Sequence, residues 1–108
     1  MERLRKYVGK NLNIEKVKDS DTLMTFGIVC RYLPDPPEDF DEFEFTFDFN
    51  GETVVLLVTV ELGKIKRLYF SLADRDDPDV TRPLTEEQLQ ELLTSKGDQL
   101  VRFLDFIT

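Results

Sequence analysis

Carboxylates are the most abundant chemically capable side chains in this chain: 22 Asp and Glu stand against 14 Lys and Arg, with no histidine and a single cysteine, Cys30. Histidine supplies most general acid–base catalysis near neutral pH and much zinc coordination, so its absence removes Ser-His-Asp triads, Cys/His dyads and His-containing zinc sites together. Cys30 lies in the apolar run Phe26-Gly27-Ile28-Val29-Cys30, where a thiol packs as a small inert core residue instead of ionising as a nucleophile. The run Asp74 to Asp79 invites hard-cation binding, but an EF-hand loop begun at Asp74 needs glycine sixth and glutamate twelfth, and the chain has Asp79 and Thr85 there. That run reads as a solvated acidic turn. A glycosidase-type carboxylate pair needs a cleft and unequal pKa values, for which a small two-layer domain offers little room, and no glycine-rich phosphate loop is present. The expectation is a protein that is not an enzyme and holds neither metal nor cofactor.

With catalysis set aside, the distribution of charge points towards binding. Residues 1–20 carry six basic and three acidic groups, residues 21–63 one and ten, residues 64–83 five and four, and residues 84–108 two and five, for a net charge of −8. The acidic stretch Asp35 to Glu44 has two readings. It is a solvated loop and strand face that discourages edge-to-edge aggregation, or it is a surface on which Asp39, Asp41 and Glu42 receive a basic polypeptide, charge complementarity setting encounter rate and register. Lys64, Lys66 and Arg67 form an opposing basic cluster. Direct nucleic-acid binding is disfavoured, because its affinity comes from neutralising phosphates with Lys and Arg. The longest apolar run, Val54 to Val58, falls far short of the roughly 20 residues that span a bilayer, so no membrane partner is expected. One cysteine and no leader-like opening favour a reducing intracellular compartment.

The elements that would position these groups follow from periodicity. Met1, Leu4 and Val8 keep the a/d spacing of one heptad up to Gly9, so residues 1–10 read as the end of a helix or coiled coil, and residues 11–108 as a single α+β globular domain. From Leu12 the period changes to two: Leu12 to Val17 and Leu23 to Leu33, joined by the turn-forming Lys18-Asp19-Ser20-Asp21, read as a hairpin whose second strand is apolar on both faces and bulged at Gly27. Pro34 to Asp39 reads as a loop. Phe43, Phe45, Phe47 and Phe49 then alternate with Glu42, Glu44, Thr46 and Asp48, a strand whose four rings belong in a core, since acidic alternates would repel a nucleic-acid backbone. Asn50-Gly51 predicts a tight type I′ turn into Thr53 to Val60, and a second turn at Leu62-Gly63-Lys64 leads into a strand from Ile65 to Leu72. Thr85 and Gln88 form a capping box for a helix that begins at Glu86 and is expected to end at Gly97, with Asp98 capping a second helix along Leu100, Phe103, Leu104 and Ile107. The predicted architecture is an antiparallel four- to five-stranded meander with a short N-terminal helix and two C-terminal helices packed on one face.

In this order of elements the chain resembles an RWD-type domain. More narrowly it is similar to the globular heads that terminate kinetochore coiled coils, namely the small spindle-pole-component subunits of the outer-kinetochore complex and, less closely, the monopolin head. The resemblance is carried by Leu12-Asn13-Ile14-Glu15-Lys16-Val17, Leu23-Met24-Thr25-Phe26 and Phe43-Glu44-Phe45-Thr46-Phe47. It implies a non-enzymatic adaptor that forms a homo- or hetero-dimer through the N-terminal helix, with Leu4, Tyr7 and Val8 on the partner subunit, and that offers a groove to receptor helices or extended peptides. It also implies a nuclear, kinetochore location, where composition alone implies only a cytoplasmic one. Two other readings stay open beside it: a small acidic inhibitor or immunity-type protein that masks a basic surface, and an α+β enzyme with a carboxylate site.

Overall fold

Two hairpins form the centre of the molecule, and both turn on the residues predicted for them. The computed structural model describes residues 2–34 and 40–108. Strand β2 (Phe40–Phe49) turns at Asn50-Gly51, with φ of 53° and 76°, into β3 (Glu52–Glu61), the left-handed pair that a type I′ turn requires. The same geometry recurs at Leu62-Gly63, with φ of 52° and 79°, and leads into β4 (Lys64–Ala73). A leucine there tolerates a conformation that costs about 1 kcal/mol. With β1 (Val29–Pro34) outside β2 and β5 (Thr81–Pro83) outside β4, the strands form one five-stranded antiparallel meander in the order β1-β2-β3-β4-β5. β5 is an addition to the expected strands. Asp74 N–H bonds Val80 O at 2.8 Å, and the Asp74 and Asp77 carboxylates accept from the backbone of Asp76 and Asp79. These local bonds turn the exposed acidic run back to pair Thr81–Pro83 with Ser71–Ala73.

Register fixes which face is apolar. Phe43, Phe45 and Phe47 lie opposite Val58, Leu56 and Val54, which in turn face Leu68, Phe70 and Leu72. Phe43 and Phe45 are buried, and Phe47 and Phe49 pack partly buried against the same core. The cover is α4 (Glu86–Ile107), whose Leu92, Leu100, Phe103, Leu104 and Ile107 are buried and whose Phe103 ring meets Phe45 edge-on at 4.9 Å. The Thr85/Gln88 capping box starts it as predicted. It does not stop at Gly97: one continuous helix of 22 residues replaces the expected pair. Gly97 is there for packing. It is buried beneath Arg3, and a Cβ would collide with the guanidinium, which pairs with Asp98 on the next residue.

The first third of the chain departs from the predicted hairpin. Residues 14–17 form α2 (Ile14–Val17) and residues 20–25 form α3 (Ser20–Thr25). The Asn13 side chain accepts from Lys16 N at 3.3 Å and Asp19 from Thr22 N at 3.2 Å, so a residue expected inside a strand and one expected in a turn are both helix caps. Gly27, at φ +71°, ends α3: Ile28 N reaches Leu23 O at 3.1 Å and Gly27 N reaches Met24 O at 2.9 Å. This is a Schellman closure and not a bulge. The strand therefore begins only at Val29, and it is an edge strand instead of an inner one.

Residues 2–12 pack as part of the same body. After α1 (Glu2–Arg5), Gly9 N bonds Ile65 O, Ile65 N bonds Lys10 O and Leu12 N bonds Gly63 O, which caps the outer edge where β4 begins.

Candidate interaction groove

α2 and α3 do not close over the inner face of the sheet at its β1 end. Between them and β1–β2 runs an apolar groove of about 420 Å³. Its floor is Ile28, Cys30 and Phe43, one wall is Val17, Leu23 and Met24, and Tyr32 with Asp41 forms the opposite rim. The lips are unusually bare for large apolar side chains: Met24 is 60% exposed, Val29 56%, Tyr32 50% and Ile14 38%. Such grouped exposure on a small domain marks a contact surface more often than chance scatter does.

The polar groups of the groove are few and oriented. The Tyr32 hydroxyl donates to Asp41 Oδ1 at 2.6 Å, and its ring lies 5.0 Å from that of Phe43. That hydrogen bond, more than burial, holds the Tyr32 hydroxyl above its ordinary pKa. Cys30 is half-buried, and burial pushes its thiol up to about 11, so at neutral pH it is an uncharged apolar surface and not a nucleophile. Lys18 and Ser20 stand at the α2–α3 mouth. The arrangement is suited to taking up apolar side chains, with one carboxylate placed to receive a donor.

The residues singled out from the sequence are scattered by the fold. Asp41 lines the groove; Glu42, on the alternate face of β2, points away from it, and both are partly buried. Asp39 lies outside the described residues. Leu4 and Tyr7, expected on a partner subunit, are corrected: each is fully buried in this chain's own core. The Tyr7 hydroxyl donates to Asp105 Oδ1 at 2.6 Å and reaches Val101 O at 3.2 Å, clamping residue 7 to α4. Burial first, then the Asp105 bond, raises it to about 12. Of the three, only Val8 is exposed, at 46%. In the basic cluster, Lys66 pairs with Glu61 and Arg67 stacks over Tyr69. Met24, Val29 and Tyr32 are not singled out by the sequence because the run Leu23 to Leu33, apolar on both faces, reads as a covered strand, and Ile14 is not because Leu12 to Val17 reads as the strand beside it. The signal that finds them is the succession of caps at Asn13 and Asp19 and the glycine at 27.

Among known protein families, curated proteins and solved structures, none matches this chain. Among the described residues there is no cluster of three or more His, Cys, Asp or Glu side chains that could hold a metal ion, and no helix is long and apolar enough to cross a membrane.

Proposed function

We propose that this chain is a non-enzymatic protein-interaction domain that takes a short segment of a partner polypeptide into the groove between α2–α3 and β1. The observation that carries the reading is the grouping of four exposed large apolar residues, Ile14, Met24, Val29 and Tyr32, around one apolar groove. Leaving that surface in water is unfavourable by about 25 cal/mol per Å² of apolar area, which a partner's apolar side chains recover on binding. Within this class, an adaptor head of the RWD type in kinetochore assembly is the narrower proposal. It rests on the resemblance, with Val8 as the exposed side chain that residues 1–10 offer a partner subunit. The acidic masking protein is the second reading, favoured by the concentration of ten acidic groups in residues 21–63.

Selection of random peptides displayed on phage against the full chain tests the proposal. Selected peptides are expected to lose at least about tenfold in affinity for Met24→Glu, since a charge would be forced against apolar surface, and to protect Cys30 from maleimide. Peptides that bind Met24→Glu as well as they bind the parent chain, or that leave Cys30 fully reactive, would overturn the reading.

A further inference from the structure

The two edges of the sheet are treated differently. On one side β5 is only three residues long and ends in Pro83, and the start of β4 is capped by residues 9–12. Those are ordinary devices for blunting an edge. On the other side β1 extends for six residues, Val29–Pro34, and among the described residues it pairs with β2 alone. Its side chains alternate: Cys30 and Tyr32 share the groove face with their partners Phe45 and Phe43, Arg31 lies on the reverse face with Glu44, and Val29, where the strand begins, stands at the lip of the groove. The open edge and the groove thus adjoin along a single strand.

Resting on the interaction-domain reading, we infer that the occupant is an extended, basic segment of a partner chain, which adds to β1 as a sixth strand and lays alternate apolar side chains in the groove. A helix satisfies its own backbone and would leave the outward N–H and C=O groups of β1 to water, whereas a strand pairs with them. Five or six residues of partner match the length of β1 at about 3.3 Å each. Charge selects the kind of segment. Asp41 stands in the groove with Lys18 at its mouth, and the Arg31 charge on β1 is met by Asp79 at 3.5 Å. Glu42 and Glu44 lie one strand further in, about 10 Å from an added strand, a separation over which cations are still attracted at moderate salt. A second copy of this chain would instead bring two bodies of charge −8 together, edge to edge.

Fluorescence anisotropy with defined octapeptides and the intact chain decides the matter. The probes are an alternating Val/Lys peptide, its Val/Glu counterpart, and two Val/Lys peptides N-methylated on one or the other alternate set of amides. The Val/Lys peptide should bind, and the Val/Glu peptide should bind at least about tenfold more weakly. N-methylation should abolish binding on one set and spare it on the other, because a strand directs only alternate amides at its neighbour. Val29→Lys, at an exposed position, should weaken the Val/Lys peptide at least about tenfold, as a charged edge repels a basic strand. Equal binding by both N-methylated peptides would overturn strand addition while leaving groove binding intact. Preference for Val/Glu, or a Val29-dependent dimer in sedimentation, would overturn the choice of occupant. Failure of every octapeptide would overturn the inference while phage-selected peptides still judge the broader proposal.

Discussion

Replacing Tyr7 by phenylalanine removes one oxygen and leaves the ring in place. That oxygen ties residue 7 to α4 through Asp105 Oδ1 at 2.6 Å and Val101 O at 3.2 Å. A hydrogen bond to a charged group contributes about 1.5–3 kcal/mol net. Asp105 is exposed and can be re-solvated, so the lower end, about 1.5 kcal/mol, applies. This corresponds to a melting temperature lower by about 6–10 °C for a domain near this size. The loss should also depend on pH. Tyr7 titrates at about 12 in the folded chain against 10.0 ordinarily, so folding holds the proton more tightly. Below pH 10 both states are protonated and the contribution is complete. Between 10 and 12 the unfolded chain loses its proton first, and stability falls by at most about 1.4 kcal/mol per pH unit. Two units give a ceiling of about 2.7 kcal/mol, and solvent beside the exposed carboxylate reduces it to about 1–1.5 kcal/mol. Urea unfolding of both proteins at pH 8 and at pH 11.5, followed by circular dichroism, reads the difference directly. The gap should be about 1.5 kcal/mol at pH 8 and nearly closed at pH 11.5, the other tyrosines and the lysines cancelling. Parallel pH curves, or equal stability at pH 8 with unchanged m, would refute the clamp.

Leu4→Ala should cost about 2–5 kcal/mol in the same unfolding transition as Phe45→Ala; a residue 4 that melts separately, or costs under 0.5 kcal/mol, would detach α1 from the core. Gly97→Ala should stabilise by about 1 kcal/mol when Arg3 is already alanine, through helix propensity alone, and by less in the parent chain, where the new methyl displaces the guanidinium; a double-mutant cycle with no coupling counts against the Arg3–Gly97 contact. Cys30 should react slowly with maleimide at pH 7 and about tenfold faster for each unit of pH towards 11; a rate independent of pH between 8 and 10 would contradict the raised thiol pKa.

How much of this was legible in the sequence depends on whether a segment's local signals agreed. At Phe43 to Val60 the alternation, the Asn-Gly pair and the β-branched residues all favour one hairpin, and that hairpin forms. The α4 capping box was equally plain. Gly97 misled because a glycine after a helical stretch has two explanations, a left-handed stop or a close approach, and only the position of Arg3, 94 residues earlier in the chain, decides between them. Residues 12–28 misled for a different reason. Their apolar positions fit a period of two over so short a span that the cap chemistry of Asn13, Asp19 and Gly27 outweighs it, each side-chain oxygen or left-handed turn satisfying helix ends locally. The groove was illegible in consequence: it exists because α2 and α3 occupy the space where a strand was expected, and because β1, left at the edge, has one face only partly covered. Among the described residues, Asp41 alone of the anticipated partner-binding side chains lines it.

The link between Tyr7 and Asp105 spans 98 positions of sequence, and Asn13 N likewise closes on Ile107 O at 2.7 Å. During synthesis on a ribosome the opening residues must therefore wait, uncovered, until the final turns of α4 have cleared the exit tunnel. Up to that moment the nascent meander is an incomplete layer with its aromatic side unsheltered, so the fold closes only once the residues around Asp105 and Ile107 are free to pack.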